Sequence, residues 1–434
     1  MAFTTLRLML ANRFPALQIR NFRIFYLGLL LSLAGPWMQT TAQAWLVLKL
    51  SDSSLALATV TSLQFLPIML LALVGGVVAD RFPRRRLMAI TQSLAAVQAL
   101  VLGVLVMTDT IALWHIYLLA LSLGVINALD NPLRQAFVSE LVDVPRLGNA
   151  IALVSMMQNL GRIIGPAIGG VVIAAFGVGP AFLINGVTCS TILFALASIR
   201  AADLQPIRFS GRYTMISQIA EGLRYARKTP SILFLLIATA FIGMFGQNFT
   251  TIVPLAANYL VHAGAAEFGL LNSSLGMGSF FSAFMLTGRR KPTVGLILVA
   301  GLSFGLVLIA IAFCGSLIVS CLLFLLVGAA AVTFSTSVAG SLQIQSPPEM
   351  RGRFASMVHL LITGSSPIGA MMTGVLAEHF GVPAAISTNG VLCCIGTAFA
   401  FFYFHRMRRN FPFDLTRPAP DSPAQPIATA QPAE

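Results

Sequence analysis

The stretch GGVVADRFPRRR, Gly75 to Arg86, ends an apolar run in a burst of charge. Residues 55–79 ahead of it carry no charged side chain. As a helix rising about 1.5 Å per residue, such a run crosses roughly 30 Å of hydrocarbon, and the charges mark where it meets water. The run is continuous and does not alternate with period two, which excludes a membrane β-strand. Working outward, the pattern recurs until twelve apolar segments are in hand: 24–50, 55–79, 87–108, 111–133, 150–176, 179–199, 232–261, 267–287, 293–314, 316–338, 355–377 and 383–404. With 57% hydrophobic and 9% charged residues, the 434-residue chain belongs in a lipid bilayer rather than in water. The expected fold class is therefore all-α integral membrane, with twelve transmembrane helices.

The basic residues orient these spans. Lys and Arg crowd the N-terminus and alternate loops (Arg81 and Arg84 to Arg86; Arg134 and Arg146; Arg289 to Lys291; Arg351 and Arg353), the centre and the tail, leaving only Lys49 and Arg162 elsewhere. The positive-inside rule then places both termini in the cytoplasm. The same bias explains the net charge of +13, so no nucleic-acid partner is implied. No cleavable signal pattern precedes the first span. The five cysteines all fall within spans at no ligand spacing, so neither a metal nor a cofactor is expected.

An internal repeat organises the spans. Shifting the chain by 204 residues lays Gly148 over Gly352, Gly165 over Gly369, Gly170 over Gly374, Phe176-Gly177 over Phe380-Gly381 and Asn185-Gly186 over Asn389-Gly390. The expected plan is a cytoplasmic segment 1–23, a six-helix bundle 24–199, a cytoplasmic linker 200–231, a second six-helix bundle 232–404 and a disordered tail 405–434. Within the linker, Ile216, Ile219, Leu223 and Ala226 share one helical face opposite Arg224, Arg227 and Lys228, as in an amphipathic helix on the membrane surface.

At the end of the second span, Gly76, Asp80, Arg81 and the run Arg84 to Arg86 resemble the loop 2–3 signature of the major facilitator superfamily, with Pro83 where that signature has glycine. The second half keeps only the bases, in TGRRKP at 287–292. The resemblance implies a pseudo-symmetric pair of bundles and a conformational latch built from Gly76, Asp80, Arg81, Arg84, Asp130 and Arg134. In it, Asp80 caps span 11, links to Arg84 and Asp130, and holds the outward-open state. The run GRIIGPAIGG spaces Gly161, Gly165 and Gly169 every fourth residue, with Pro166 and Gly170 alongside, a pattern that permits close helix approach and a bend. It resembles the span 5 signature of the superfamily's antiporters. Together with ALDNPLRQAFVSELV at 128–142 and GNAIAL at 148–153, it is similar to the branch that includes the enterobactin exporter and related secretion carriers.

Arg162 lies about twelve residues into span 5, roughly 18 Å deep. An arginine there costs at least about 3 kcal/mol on insertion scales, so it should face a polar cavity. Gln158 and Asn159 lie near it on the same helix, and Gln39, Gln43, Gln64, Asn127, Gln247, Asn248 and Asn272 supply amides from other spans. These form the candidate cavity, with Arg162 drawing an anionic or strongly hydrogen-bonding substrate group; a structural donor to carbonyls at the Pro166 bend is the competing role. Trp37, Trp45 and Trp114 read as outer-half or interfacial anchors rather than a ligand cage. Asp130 and His359 are the candidates for proton coupling.

The expected function is a monomeric secondary transporter of the bacterial inner membrane. It exports a small organic molecule by alternating access, with proton antiport implied by the resemblance. Without a Walker motif, ATP is not its direct energy source, and no enzymatic constellation is present. A carrier of lysophospholipid or another lipid-like substrate, and a transport-inactive sensor or assembly subunit, are the alternatives.

Overall fold

The computed structural model describes residues 14–205, 215–286, 293–347 and 350–408; the side chains of 72–81, 215–220, 228 and 407–408 lie outside the described set. Ten helices among the described residues are each long and apolar enough to cross a membrane. Two further segments complete twelve spans. Span 1 is broken into Arg20–Leu31 and Gly35–Ser51, because Pro36 has no N–H to continue the hydrogen-bond ladder. Span 8, Ala265–Leu286, is long enough but diluted by Asn272, Ser273, Ser274, Ser279 and Ser282.

The first bundle continues with span 2 (Ser54–Arg81), span 3 (Arg84–Met107), span 4 (Leu113–Leu141), span 5 (Val144–Phe176) and span 6 (Val178–Ser198). The second bundle opens with span 7, where Pro230–Phe241 passes through a π-helical turn, Ile242–Gly246, into the short helix Phe249–Leu255 and a second such turn, Ala256–Leu260. Span 8 follows, then span 9 (Val294–Ala312) and span 10 (Leu317–Gln345). Span 11 is Arg351–His359 and Ser366–Phe380 joined by a π-helical turn, Leu360–Gly364, and span 12 is Val382–Arg408. Interruptions inside spans 1, 7 and 11 are tolerable at membrane depth only where protein or a cavity receives the freed backbone groups.

Several helices run beyond the expected apolar limits at the end of the bundle where spans 4 and 5 meet. Span 4 continues past residue 133 to Leu141 and span 5 already begins at Val144. There Phe25 meets Phe137 edge to face at 5.5 Å, within a buried cluster that includes Phe22, Met88, Leu133 and Leu196. The repeat has a backbone cause at Gly177 and Gly381, both at φ near +85° in the turns that close spans 5 and 11. Large side chains such as Leu94, Leu118, Phe194, Ile318 and Phe402 stay exposed, as a lipid-facing perimeter requires.

The linker helix, Met215–Lys228, does more than lie on a surface. Ala226 is buried, Tyr225 packs against Phe354 with ring centroids 6.1 Å apart, and Glu221 pairs with Arg353 at the start of span 11. Leu223, on its predicted apolar face, remains exposed.

Candidate substrate-binding cavity

The two bundles meet around a cavity of about 470 Å³. Span 1 contributes Trp37, Thr40, Thr41 and Ala44, which at spacing i, i+3, i+4, i+7 form one helical face. Gln39 and Gln43 fall on the other side. Gln39 donates to Gln98 at 2.9 Å and accepts from Asn185, inside the first bundle, and Gln43 is buried. The expectation that these two amides line the cavity is therefore corrected: residue type suggested it, and helical phase excludes it.

Arg162 reaches the cavity, and its guanidinium carbon stands 5.1 Å from the centroid of the Trp37 ring. Its side chain is accessible, and no carboxylate pairs with it among the described residues. Trp37, expected as an interfacial anchor, is instead the aromatic floor beneath this cation. Gln247 and Asn272 also line the cavity, Gln247 donating to Ser335 at 3.2 Å. Asn248 is buried beside it, donating to the Met244 carbonyl at 2.6 Å and accepting from Ser366 at 3.0 Å. Gln64 and Asn127 are half-buried and do not line it. Gln158 and Asn159 are exposed about one turn before Arg162, Asn159 bonded back to the Ser155 carbonyl. Phe65, Phe249 and Phe268, with hydroxyls at Thr250, Ser335, Thr336, Thr363 and Ser366, complete the wall. The amide search passed over these aromatic and hydroxyl groups. The second helix of span 1 begins at Gly35, two residues before Trp37, and that of span 11 begins at the cavity-lining Ser366.

The glycine motif positions that charge. A Cβ on Gly161 would stand 2.7 Å from the Leu33 carbonyl, and one on Gly165 would stand 2.5 Å from Trp37 Cβ. Span 5 can therefore press onto the break in span 1, which sets Trp37 beneath Arg162. Gly169 continues the contact at Met38, and Pro166 itself lines the cavity. Gly170 does something different: its Cβ would stand 2.8 Å from the Ala265 carbonyl and 2.9 Å from Gly269 Cα, on span 8 of the other bundle. Its repeat mate Gly374 packs against Ala58 of span 2 in the same manner.

The outer ends are joined further. Glu378 accepts from Ser53 Oγ and from the Leu55 N–H, both at 3.1 Å, and Tyr259 donates to the Asp52 carboxylate at 3.0 Å. Ser62 donates to the Pro367 carbonyl at 2.9 Å and Ser273 to the Ile163 carbonyl at 3.0 Å. At the starts of spans 5 and 11, by contrast, a Cβ on Gly148 or Gly352 would meet nothing within 4 Å. The bundles are closed against each other at the end that holds the turn between spans 1 and 2.

The expected latch runs through Asp80, which lies outside the residues whose side chains are described; among the described residues Arg84 pairs with Glu140 at 2.8 Å, both buried. Asp130 pairs with Arg134 at 2.7 Å and accepts from Thr91 at 2.7 Å and Gln92 at 3.0 Å. The extra turns of span 4 carry Glu140 to the start of span 3, which reading span 4 as ending near residue 133 could not reveal. Arg85 caps span 6 through the Leu196 and Ala197 carbonyls. Gly76, Asp80 and Arg81 fall in the stretch whose side chains lie outside the described residues. His359 is exposed, three residues before the cavity-lining Ile362.

Two broken bundles enclosing one central cavity define a transporter of the major facilitator fold. A solved bacterial homologue of the human lysosomal transporter Spinster, in an inward-facing and unoccupied conformation, superposes with a TM-score of 0.71 at 15% identity, covering 90% of this chain and 97% of that one. The chain belongs to the family described as transmembrane secretion effector, which matches residues 11–425. Among its relatives, the staphyloferrin A transporter of Staphylococcus aureus is 24% identical over 87% of this chain and 95% of that protein. The enterobactin exporter EntS of Citrobacter koseri is 26% identical over 80% of this chain and 82% of that protein. The protein is a multi-pass membrane transporter, not an enzyme.

Proposed function

We propose that the protein exports a small organic anion across the bacterial inner membrane by alternating access, as a monomer with both termini in the cytoplasm. One observation carries this reading: Arg162 lies over Trp37, facing a cavity whose described lining holds no acid. A fixed cation in a partly dry site binds a carboxylate or phenolate far better than it does a neutral molecule. Siderophores, drugs and anionic metabolites all satisfy that chemistry, and the named substrates of the relatives support the first. Proton antiport is what the resemblance implies, with Asp130 and His359 as the candidates for it. Asp130 is engaged by three partners, and neither residue lines the cavity. The test is untargeted profiling of small molecules inside and outside cells that lack the protein, express it, or express Arg162→Ala, in iron-replete and iron-limited media. An anionic compound that leaves only with intact protein is the expected result; identical profiles in the three strains would remove soluble-anion export.

A second reading, an amphiphile such as a lysophospholipid, is favoured by an apolar groove of about 640 Å³ between spans 2 and 11. It is lined by Leu63, Leu66, Met69, Met371 and Met372, and Phe65 and Ser366 of the cavity wall are chain neighbours of groove residues. Dependence of transport on lipid rather than on a soluble compound would mark it.

A further inference from the structure

We infer that the cavity recognises its substrate at two ends, an anionic group held by the first bundle and a neutral hydroxyl- or amide-bearing group read by the second, and that only a ligand engaged at both ends draws the bundles together. The inference rests on the anionic substrate proposed above and adds the rest of its chemistry. The lining divides by bundle. Arg162 stands on span 5 of the first bundle, over Trp37 of span 1. The chain offset of 204 residues carries Arg162 onto Ser366, which also lines the cavity, so the two halves present a cation and a hydroxyl at related positions. The hydroxyls of span 1 are turned to their own helix: Thr40 donates to the Pro36 carbonyl at 2.9 Å and Thr41 to the Trp37 carbonyl at 3.0 Å.

On the second bundle, Thr250 of span 7, Thr336 of span 10 and Thr363 of span 11 bring three hydroxyls to the same cavity. Ser335 and Ser366 beside them donate to the Ala331 carbonyl and to Asn248, whereas these three threonines donate to no protein group among the described residues. Thr363 sits in the π-helical turn Leu360–Gly364, and Thr250 follows the one at Ile242–Gly246, so each turn shifts the helical phase where a cavity hydroxyl is placed. A hydroxyl both donates and accepts, which makes a neutral hydroxyl or amide its complement, while a carboxylate or phenolate goes to the guanidinium. Phe65, Phe249 and Phe268 supply apolar wall for the body that joins the two ends. At about 470 Å³ the cavity is of the size that encloses one small ligand, so a single molecule has to satisfy both bundles. A ligand shifts a conformational equilibrium only by its different affinity for the two states. An anion held by Arg162 alone leaves the spacing of the bundles free. One bonded to the three threonines as well keeps all its contacts only while the bundles stay together.

The experiment uses the full chain, purified in detergent, with three probes that share one rigid body: 2-naphthoate, 6-hydroxy-2-naphthoate and 2-naphthol. Calorimetric titration gives their affinities for wild type, for Arg162→Gln, and for a variant combining Thr250→Val, Thr336→Val and Thr363→Val, which keeps the branched side chains and removes the hydroxyls. On wild type, 6-hydroxy-2-naphthoate should bind about tenfold tighter than 2-naphthoate, the size of one added hydrogen bond. That advantage should vanish in the threonine variant, which should still bind 2-naphthoate as wild type does, and Arg162→Gln should weaken both acids. Equal binding of the two acids by wild type, with Arg162 still required, would overturn the two-ended site and leave the anion reading standing. If neither acid depends on Arg162, the anion reading falls and this inference falls with it. Loss of 2-naphthoate binding in the threonine variant would assign the three residues to the fold and overturn their part in recognition. Closure is read separately, from distances between spin labels at Gly148→Cys and Gly352→Cys in a background lacking the native cysteines. Saturating 6-hydroxy-2-naphthoate should shorten that distance and saturating 2-naphthoate should not; equal shortening by both would show that the second end does not draw the bundles together.

Discussion

Arg162 and Trp37 give the residue scale its sharpest expectation. Arg162→Gln keeps a polar side chain of similar reach but removes the charge and should weaken binding of the exported anion about 10- to 100-fold, the size of one charge-assisted hydrogen bond. Titration of purified protein with the compound identified by profiling checks this; Arg162→Lys should fall between, because an ammonium keeps the charge and loses the flat stacking on Trp37. The Arg84–Glu140 pair is a second residue-scale case. Both side chains are buried, so Glu140→Ala removes a charge-assisted hydrogen bond from Arg84 and should lower thermal stability by about 1.5–3 kcal/mol. In a double-mutant cycle, Arg84→Met combined with Glu140→Leu should cost less than the sum of the two single changes. Asp130 was legible from sequence as a cluster member, but Glu140 was not, because its role depends on how far span 4 extends beyond the membrane.

At the scale of elements, the glycines divide by partner. Gly161, Gly165 and Gly169 join span 5 to span 1 within one bundle, whereas Gly170 and its repeat mate Gly374 join the bundles to each other. Even spacing in the sequence does not distinguish these roles. Gly170→Val and Gly374→Val should each wedge the outer side open, since the added atoms meet Gly269 and the Ala265 carbonyl in one case and Ala58 in the other. In a background lacking the native cysteines, Thr41→Cys lines the cavity and should react several-fold faster with a membrane-impermeant thiol reagent added from outside when either valine is present. Gly161→Val should instead disturb the Trp37 seat, lowering substrate binding without exposing residue 41 to the outside. The π-helical turns in spans 7 and 11 belong to the same scale. Neither carried an unambiguous sequence signal, since the Gly and Ser at these places also read as ordinary packing residues.

For the whole molecule, the closed outer face rests on a few polar contacts between the bundles. Asp52 with Tyr259, and Glu378 with Ser53 and Leu55, must separate whenever the cavity opens outward. Asp52→Ala with Glu378→Ala removes hydrogen bonds worth about 1 kcal/mol each and should shift the equilibrium towards outward-open roughly tenfold or more. Paired distance measurements between labels on the outer ends of spans 2 and 11 would read this shift, and unchanged distance distributions would show that these contacts do not set the balance. The internal repeat predicts two similar bundles, yet their chemistry differs. Asp130 and Arg134 have Phe334 and Val338 at the repeat-related positions, so this buried ion pair has no counterpart there.

The sequence by itself determined the bilayer setting, the twelve spans and their doubling. Each follows from hydropathy, the distribution of basic residues or a fixed chain offset, which are properties readable along one dimension. Only the tertiary structure decided which side chains share the cavity. Gln39 and Trp37 are two residues apart, and residue type favoured Gln39 for the cavity, yet helical phase turns Gln39 into the bundle and Trp37 beneath Arg162. The pairing of Arg84 with Glu140 and the division of labour among the glycines were decided in the same way, by helix extension and by which neighbour each helix meets. Those are facts of packing between segments far apart in the chain, and no local pattern encodes them.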